Sequence, residues 1–543
     1  MRLVIAHYHL LPGGVTDVIR DSVTSLLENR SDVTEVVLLS GRQENADSLI
    51  AAIRTATAGA ELSGTVTDQS PVIRCESWEE LDYADQQESA SAAKKRAEVL
   101  VERFSTLLQE NDVLWVHNYH VGKNAGLTRA VTELARQWNT PADPHLLLHI
   151  HDFPEDGRFA NLAYLRKTLG SVPYPTGNHV RYAVINTRDL AVLSDAGIPG
   201  NQLFYLPNPV RTAGRERLPQ QSQSARRDRL VMGLSAFAKE HGYRFHPDGP
   251  IVLYPVRAIR RKNVLEIATI CRMMEHWNLV VTLPGTSSQE AAYSDLVGWA
   301  YADRRIHGCF GIGRNEHRYG FSFSELTAGA DLVASSSVQE GFGLAYLNTL
   351  LDGVPLLARK LGTMGGLLPM FDGYPAHLYD RFVVPLTSPS ITSMRGYLRL
   401  RYSERLDEIA ESVPEERERL EQALDNLVSR DAIDFSFLPA QLQLTLLGDI
   451  RDDGFAADVR ALNNDLLTAA ESLVHSDPPD IRSRIDNDFG FAAFAERARR
   501  FTAADEPSTG SASELSEGIA QRVLSAYCGI DQARLLLGPL DHD

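Results

Sequence analysis

Short aliphatic runs alternate with amphipathic segments from the first residues onward. RLVIAHYH (2–9) precedes TDVIRDSVTSLLEN (16–29), a helical pattern, and VTEVVLLSG (33–41) follows. In KKRAEVLVERFSTLLQEN (94–111), Val99, Val101, Phe104, Leu107 and Leu108 recur at roughly helical spacing. DVLWVHNYH (112–120), HLLLHIHDF (145–153), YAVINT (182–187) and QLFYLPNPV (202–210) each read as a buried strand with a polar end. Strands alternating with helices predict an α/β protein with a doubly wound, mainly parallel sheet.

The stretch RTAGRERLPQQSQSARRDR (211–229) breaks the alternation. It is polar, without apolar period, and reads as a long surface loop or hinge. The pattern then restarts with PIVLYPVR (250–257), WNLVVTLPG (277–285), DLVASSS (331–337) and VPLLARK (354–360). The expected organisation is therefore a Rossmann-like domain over 1–215, a linker over 216–248, a second Rossmann-like domain over 249–390 and a helical extension over 391–543. Two such domains predict a cleft that ligands enter at the carboxyl ends of the strands. Within the extension, DEPSTGSASELSEG (505–518) reads as a flexible connector before a last helix. The extension is expected to serve as packing material or as the surface of a homo-oligomer.

Composition narrows the partners. The 543 residues carry a formal charge of −17, with 43% hydrophobic and 23% charged residues. An acidic chain of this kind argues against nucleic acid as main partner, because neutralising phosphates needs a basic surface. It leaves room for a local basic pocket. Cys75, Cys271, Cys309 and Cys528 are far apart and form no CxxC pair, so neither a disulfide framework nor a zinc site is expected. The amino-terminal run is short, broken by histidines and reads as a first strand. No run of 18 apolar residues occurs, so no membrane span is expected, and a cytoplasmic location fits.

Candidate chemistry lies at the strand ends. EGFGLAYLN (340–348) joins a strand to a helix that stops at Gly353. Gly341 and Gly343 permit a tight turn and leave backbone N–H groups open at a helix N-terminus, a setting suited to a diphosphate. On its own, a tight structural turn explains that motif at least as well. In YPVRAIRRKN, Arg257 ends a strand and Lys262 follows five residues later; two such cations can clamp phosphate oxygens. A solvated basic loop is the competing explanation. HLLLHIHDFPEDGR places His149 and His151 on one strand face with Asp152 at its end, and Gly13 and Gly14 follow the first strand. His7, His9, His117 and His120 lie at strand ends as well. No HExxH or similar ligand spacing is present, so these histidines are read as hydrogen-bond donors, with no metal expected.

Taken together and in this order, these residues resemble the retaining glycosyltransferases of family 4, which have the GT-B fold. The resemblance covers about residues 1–375. It rests on Pro12-Gly13-Gly14, His151–Asp152, LPNPV (206–210), Arg257 with Lys262, EGFGL (340–344) and DGVPLLA (352–358). It implies that Arg257 and Lys262 hold a donor diphosphate, with Gly13, Gly14, Gly341, Phe342, Gly343 and Leu344 forming the donor loops. It further implies that His151 meets the donor sugar near its 6-hydroxyl and that Glu340 bonds other sugar hydroxyls. Asp152, His120 and Asn118 are candidate sugar or acceptor contacts.

Three positions depart from the family. Asn348 stands where a second glutamate usually contacts the nucleotide ribose, and an amide cannot form that charge-assisted pair. Asn263 replaces the glycine after the lysine, and Pro209 the glycine of a Pro-Asn-Gly turn. The implied reaction is a same-face hexosyl transfer from a nucleotide diphosphate sugar, a UDP-sugar carrying glucose by family frequency, with no metal required. The first helix carries Asp17, Asp21, Glu28 and Asp32, so a soluble small-molecule acceptor is expected in preference to a lipid. An epimerase or phosphorylase on the same scaffold stays open through His151, Asp152 and Glu155. A binding protein that has lost turnover stays open through Asn348.

Overall fold

The structure, a computed structural model, describes residues 1–30, 32–61, 71–213, 223–313, 315–500 and 514–537. The alternation along the chain becomes two parallel sheets. The first contains β1 (Arg2–Ala6), β2 (Glu35–Ser40), β3 (Val72–Ser77), β4 (Val113–His117), β5 (His145–Ile150), β6 (Val180–Val184) and β7 (Leu203–Tyr205), in the order β3-β2-β1-β4-β5-β6-β7. The second contains β8 (Ile251–Arg257), β9 (Asn278–Leu283), β10 (Gly308–Phe310), β11 (Leu332–Ser335), β12 (Leu356–Arg359) and β13 (Ala376–Tyr379), in the order β10-β9-β8-β11-β12-β13. The doubly wound pair expected from the sequence is thus present, with a helical region after it. Central strands are apolar along their length because helices cover both faces: Val4, Ile5, Leu114, Leu148, Val252, Leu253 and Leu332 are all buried.

The chain folds as two units. Unit 1 is Met1–Thr212 with Ser483–Cys528, and unit 2 is Ala213–Arg482 with Gly529–Asp543. This revises the expected division in two places. Gln223–His241, assigned to the linker, is a helix of 19 residues. Leu230, Leu234, Phe237 and Ala238 give it a buried stripe at helical spacing, which a reading stopped at Arg229 does not reach. The carboxyl-terminal region is also not one extension. Helix Phe491–Arg499 returns to unit 1, where Phe494, Ala495 and Ala498 join the core beneath β1 and β4, and Ser25 donates to the Phe491 carbonyl at 2.5 Å. Helix Glu514–Tyr527 also belongs to unit 1, and Tyr527 donates to Asp189 at 2.7 Å. Of the expected connector at 505–518, residues up to 513 lie outside the described residues, and from Glu514 onward the chain is helical.

Among the described residues no helix is long and apolar enough to cross a membrane.

Candidate functional site

In an open parallel sheet the strand order reverses at one point, and the loops leaving the carboxyl ends there diverge and leave a crevice. In unit 2 that point falls between β8 and β11, and in unit 1 between β1 and β4. The residues singled out in the sequence gather at these two places.

In unit 2, the chain leaves β8 at Arg257, makes a short turn over Arg260–Lys262 and enters helix Val264–Arg272. Asn263 occupies the junction with φ 50°, in the left-handed region. Glycine is the usual residue in that region and asparagine the best-tolerated substitute. Its buried side chain is also used: Nδ2 donates to Glu266 at 2.8 Å, and Oδ1 accepts from Gln443 at 3.0 Å. The turn is fastened to the loop after β11. Val338 N donates to the Arg261 carbonyl at 2.9 Å, Ser336 Oγ to the Asn263 carbonyl at 2.9 Å, and Tyr254 OH to the Lys262 carbonyl at 2.7 Å.

This fastening sets Lys262 against Glu340. Their side chains, only 11% and 15% exposed, form an ion pair, and Arg261 stands 3.5 Å from the same carboxylate. Burial lowers the Lys262 pKa against the pull of Glu340, and Arg261 and Arg257 add to the lowering. Burial pushes the Glu340 carboxyl up, but Lys262 and Arg261 outweigh it and hold its pKa below the ordinary value. An ionised Glu340 keeps the Lys262 ammonium in place at neutral pH. Arg257 is 42% exposed and turns to Thr286 at 3.0 Å and Glu290 at 3.3 Å.

Gly343, with φ 92°, begins helix Leu344–Asp352, and no side chain caps it. A Cβ at Gly343 would lie 2.6 Å from Tyr346 Cδ2, so both conformation and space require glycine. Phe342 is buried, Leu344 is exposed and half-buried Asn348 lies one turn along on the same helix face. A diphosphate placed here would meet open helix amides and the Lys262 ammonium.

Unit 1 builds a different kind of site. Gly13 is extended at φ 174° and Gly14 opens helix Gly14–Asn29. A Cβ at Gly14 would meet nothing within 4 Å, and one at Gly13 only the Leu11 carbonyl at 3.8 Å. Neither the backbone conformation nor the packing of the chain demands glycine at 13 or 14.

Beside it, Asn118 follows β4 with φ 54°. Its Oδ1 accepts from His151 N at 2.8 Å and Asp152 N at 3.2 Å, and its carbonyl accepts from Tyr8 OH at 2.6 Å. Asn118 therefore clamps the end of β5, a role the sequence did not disclose. His151 Nε2 is 2.9 Å from His117 Nδ1, and burial lowers the His151 pKa to about 4 against the pull of Asp152. Asp152 itself pairs with Arg158 at 2.8 Å. His120 is fully enclosed among Tyr119, Phe153 and Tyr174, and burial lowers its pKa to about 3. Close by, Glu155 is buried, accepts from Tyr174 OH at 3.0 Å and has its pKa pushed up to about 7 by burial.

The structure thus brings Arg257, Lys262, Glu340, Gly341, Phe342, Gly343, Leu344 and Asn348 to one switch point. It brings Gly13, Gly14, Asn118, His151 and Asp152 to the other, with His120 beneath the surface there. Sequence reasoning missed Arg261 as a second partner of Glu340, and the pairing of His117 with His151.

No family model matches the chain. It is 29% identical over 544 residues to mannosylglucosyl-3-phosphoglycerate synthase of Petrotoga mobilis, covering 98% of this chain and 99% of the relative. Among solved structures it is similar to HepE of Anabaena in complex with UDP and glucose, with TM-score 0.47, 11% identity and coverage of 92% and 98% of the two chains. It is also similar to sucrose-phosphate synthase of Thermosynechococcus elongatus, with TM-score 0.45, 14% identity and coverage of 86% and 100%.

Proposed function

We propose that the protein is a retaining glycosyltransferase that moves a hexosyl group from a nucleotide diphosphate sugar to a small, soluble, phosphorylated acceptor. The observation that carries this reading is the unit 2 switch point, where the buried Lys262–Glu340 pair adjoins an uncapped helix N-terminus. A diphosphate arriving at the helix amides competes for the ammonium. Lys262 then shares its charge with phosphate, and Glu340 is released to accept hydrogen bonds from sugar hydroxyls. The same pair thus holds the two loops together and is exchanged for donor contacts on binding.

In the reaction, the bond from the anomeric carbon to the leaving phosphate oxygen breaks and the acceptor oxygen forms the new bond on the same face. The acceptor proton passes to the departing phosphate. Arg257 and Lys262 offset the charge that develops on that diphosphate. The name of the Petrotoga relative supports a phosphorylated acceptor: mannosylglucosyl-3-phosphoglycerate fits transfer of a mannosyl group onto glucosyl-3-phosphoglycerate. We take this as the leading donor–acceptor pair, ahead of the UDP-glucose expected from family frequency. Asn348 in place of the ribose-binding glutamate favours a nucleotide held by neutral hydrogen bonds.

The test is thermal unfolding with UDP-, GDP- and ADP-sugars on the wild-type chain and on Lys262→Ala. A selective rise for one donor, abolished in the variant, supports the reading. No shift with any donor at millimolar concentration refutes it and leaves a binding protein without turnover.

A further inference from the structure

The unit 1 switch point holds more imidazole than the transfer reaction uses. His117 and His149 are register partners on β4 and β5, and His151 stands two residues beyond His149, on the same face. One nitrogen from each of the three lies within 4.8 Å of the others, and all three side chains are buried. His117 and His151 already approach to 2.9 Å. Among the described residues, His117 Nε2 and both ring nitrogens of His149 have no hydrogen-bond partner in good geometry. The Leu206 backbone lies near the His149 ring and offsets part of the lowering of its pKa. On the core side the cluster is walled by Trp115, 5.3 Å from His117 and 5.7 Å from His149 between ring centroids, with Phe494 beyond it.

Orphaned nitrogens inside an apolar wall are costly and call for an occupant. Desolvation lowers the pKa of each of the three imidazoles, so all are neutral with lone pairs available at physiological pH. Neutral imidazole is a ligand for late first-row metals, whereas magnesium and calcium want oxygen. We propose that His117, His149 and His151 form a binding site for one late first-row divalent metal ion, with zinc the best fit. Bonds of about 2.1 Å space tetrahedral ligand atoms about 3.4 Å apart. The present spread, up to 4.8 Å, is about 1.4 Å wider than that spacing. Three protein ligands leave a fourth position open to water or a sugar hydroxyl. The ion would also tie the ends of β4 and β5 together where Asn118 already clamps them. The sequence hid this site because its ligands come from neighbouring strands, 32 and 34 residues apart, and not from one helix.

The site shares His151 with the expected donor-sugar contact, and its test uses the metal alone so that its failure is distinct from failure of the transferase reading. Chelator-treated protein is titrated with Co2+ and followed by visible absorption, then competed with Zn2+. The expected result is saturation at one equivalent with the intense spectrum of tetrahedral cobalt, erased by zinc. His117→Gln and His149→Gln should each weaken binding at least tenfold. Circular dichroism and urea unfolding of both variants separate lost ligation from lost fold; His117→Gln, nearer the strand end, is the informative one if His149→Gln does not fold. No spectrum, or cobalt uptake beyond one equivalent that both variants retain, overturns the site as adventitious binding.

Discussion

Replacing Lys262 with alanine removes the ammonium that neutralises Glu340. Breaking a fully buried ion pair costs about 3–5 kcal/mol because one charge is stranded. Here the pair keeps 11% and 15% exposure and Arg261 remains 3.5 Å away. These reduce the expected loss to about 1–3 kcal/mol, seen as a fall in Tm of about 2–4 °C per kcal/mol for a unit of this size. Activity should fall further than stability, since loss of a cation on a leaving diphosphate raises the barrier by about 2.7–4 kcal/mol, roughly 10²–10³ in rate. The double variant Lys262→Ala/Glu340→Gln separates the two effects. It removes the stranded charge, so most of the lost stability should return, while the rate stays at or below that of the single variant. Thermal unfolding and kcat/KM for sugar transfer on the two proteins provide the readout. If the double variant recovers rate along with stability, Lys262 is only a structural counter-ion and the phosphate-clamp argument is wrong.

Other consequences can be checked separately. Gly14→Ala meets open space, so stability should be unchanged or rise by up to about 1 kcal/mol, while donor affinity measured by calorimetry falls at least tenfold. Unchanged affinity would remove the ligand from that loop. Asn118→Ala leaves the His151 and Asp152 amides without their acceptor and keeps a left-handed backbone, a loss of about 2–3 kcal/mol in urea unfolding; Asn118→Asp should recover most of it. Glu155 binds a proton more tightly when folded than unfolded, because burial raises its pKa to about 7. Stability should therefore fall as pH rises from its ordinary carboxyl range through about 7, by on the order of 3 kcal/mol, then level off. Glu155→Gln should abolish that slope in a pH series of thermal unfolding; an unaltered slope would assign it to another group.

The central strands were readable because they are buried on both faces and therefore nearly continuous in aliphatic residues. Within the two parallel sheets the strands that the pattern missed, Val72–Ser77, Gly308–Phe310 and Ala376–Tyr379, are all edge strands; it also missed Val383–Pro385 and Ala432–Asp434, which pair with each other antiparallel. An edge strand has one neighbour and mixed burial, so VIRCES and AHLY carry no clean period. The unit 2 site was legible for a related reason. Its chemistry sits in loops at central strand ends, where EGFGL and RAIRRK stand out against apolar flanks. What the sequence did not disclose depends on proximity across strands. The Asn118 clamp, the second cation on Glu340 and the His117–His149–His151 cluster arise only when β4 meets β5 and β8 meets β11. The course of the carboxyl-terminal residues was hidden for the same reason, since an amphipathic pattern gives a helix but not the sheet it covers.

The most direct test of the transferase reading is product analysis. Purified protein is incubated with GDP-mannose or UDP-glucose and glucosyl-3-phosphoglycerate, and the product is examined by mass spectrometry and NMR. The expected product carries one added hexose, with the anomeric configuration of the donor retained. Transfer with inversion would contradict the same-face mechanism, and the absence of any transfer from either donor would contradict the enzyme itself.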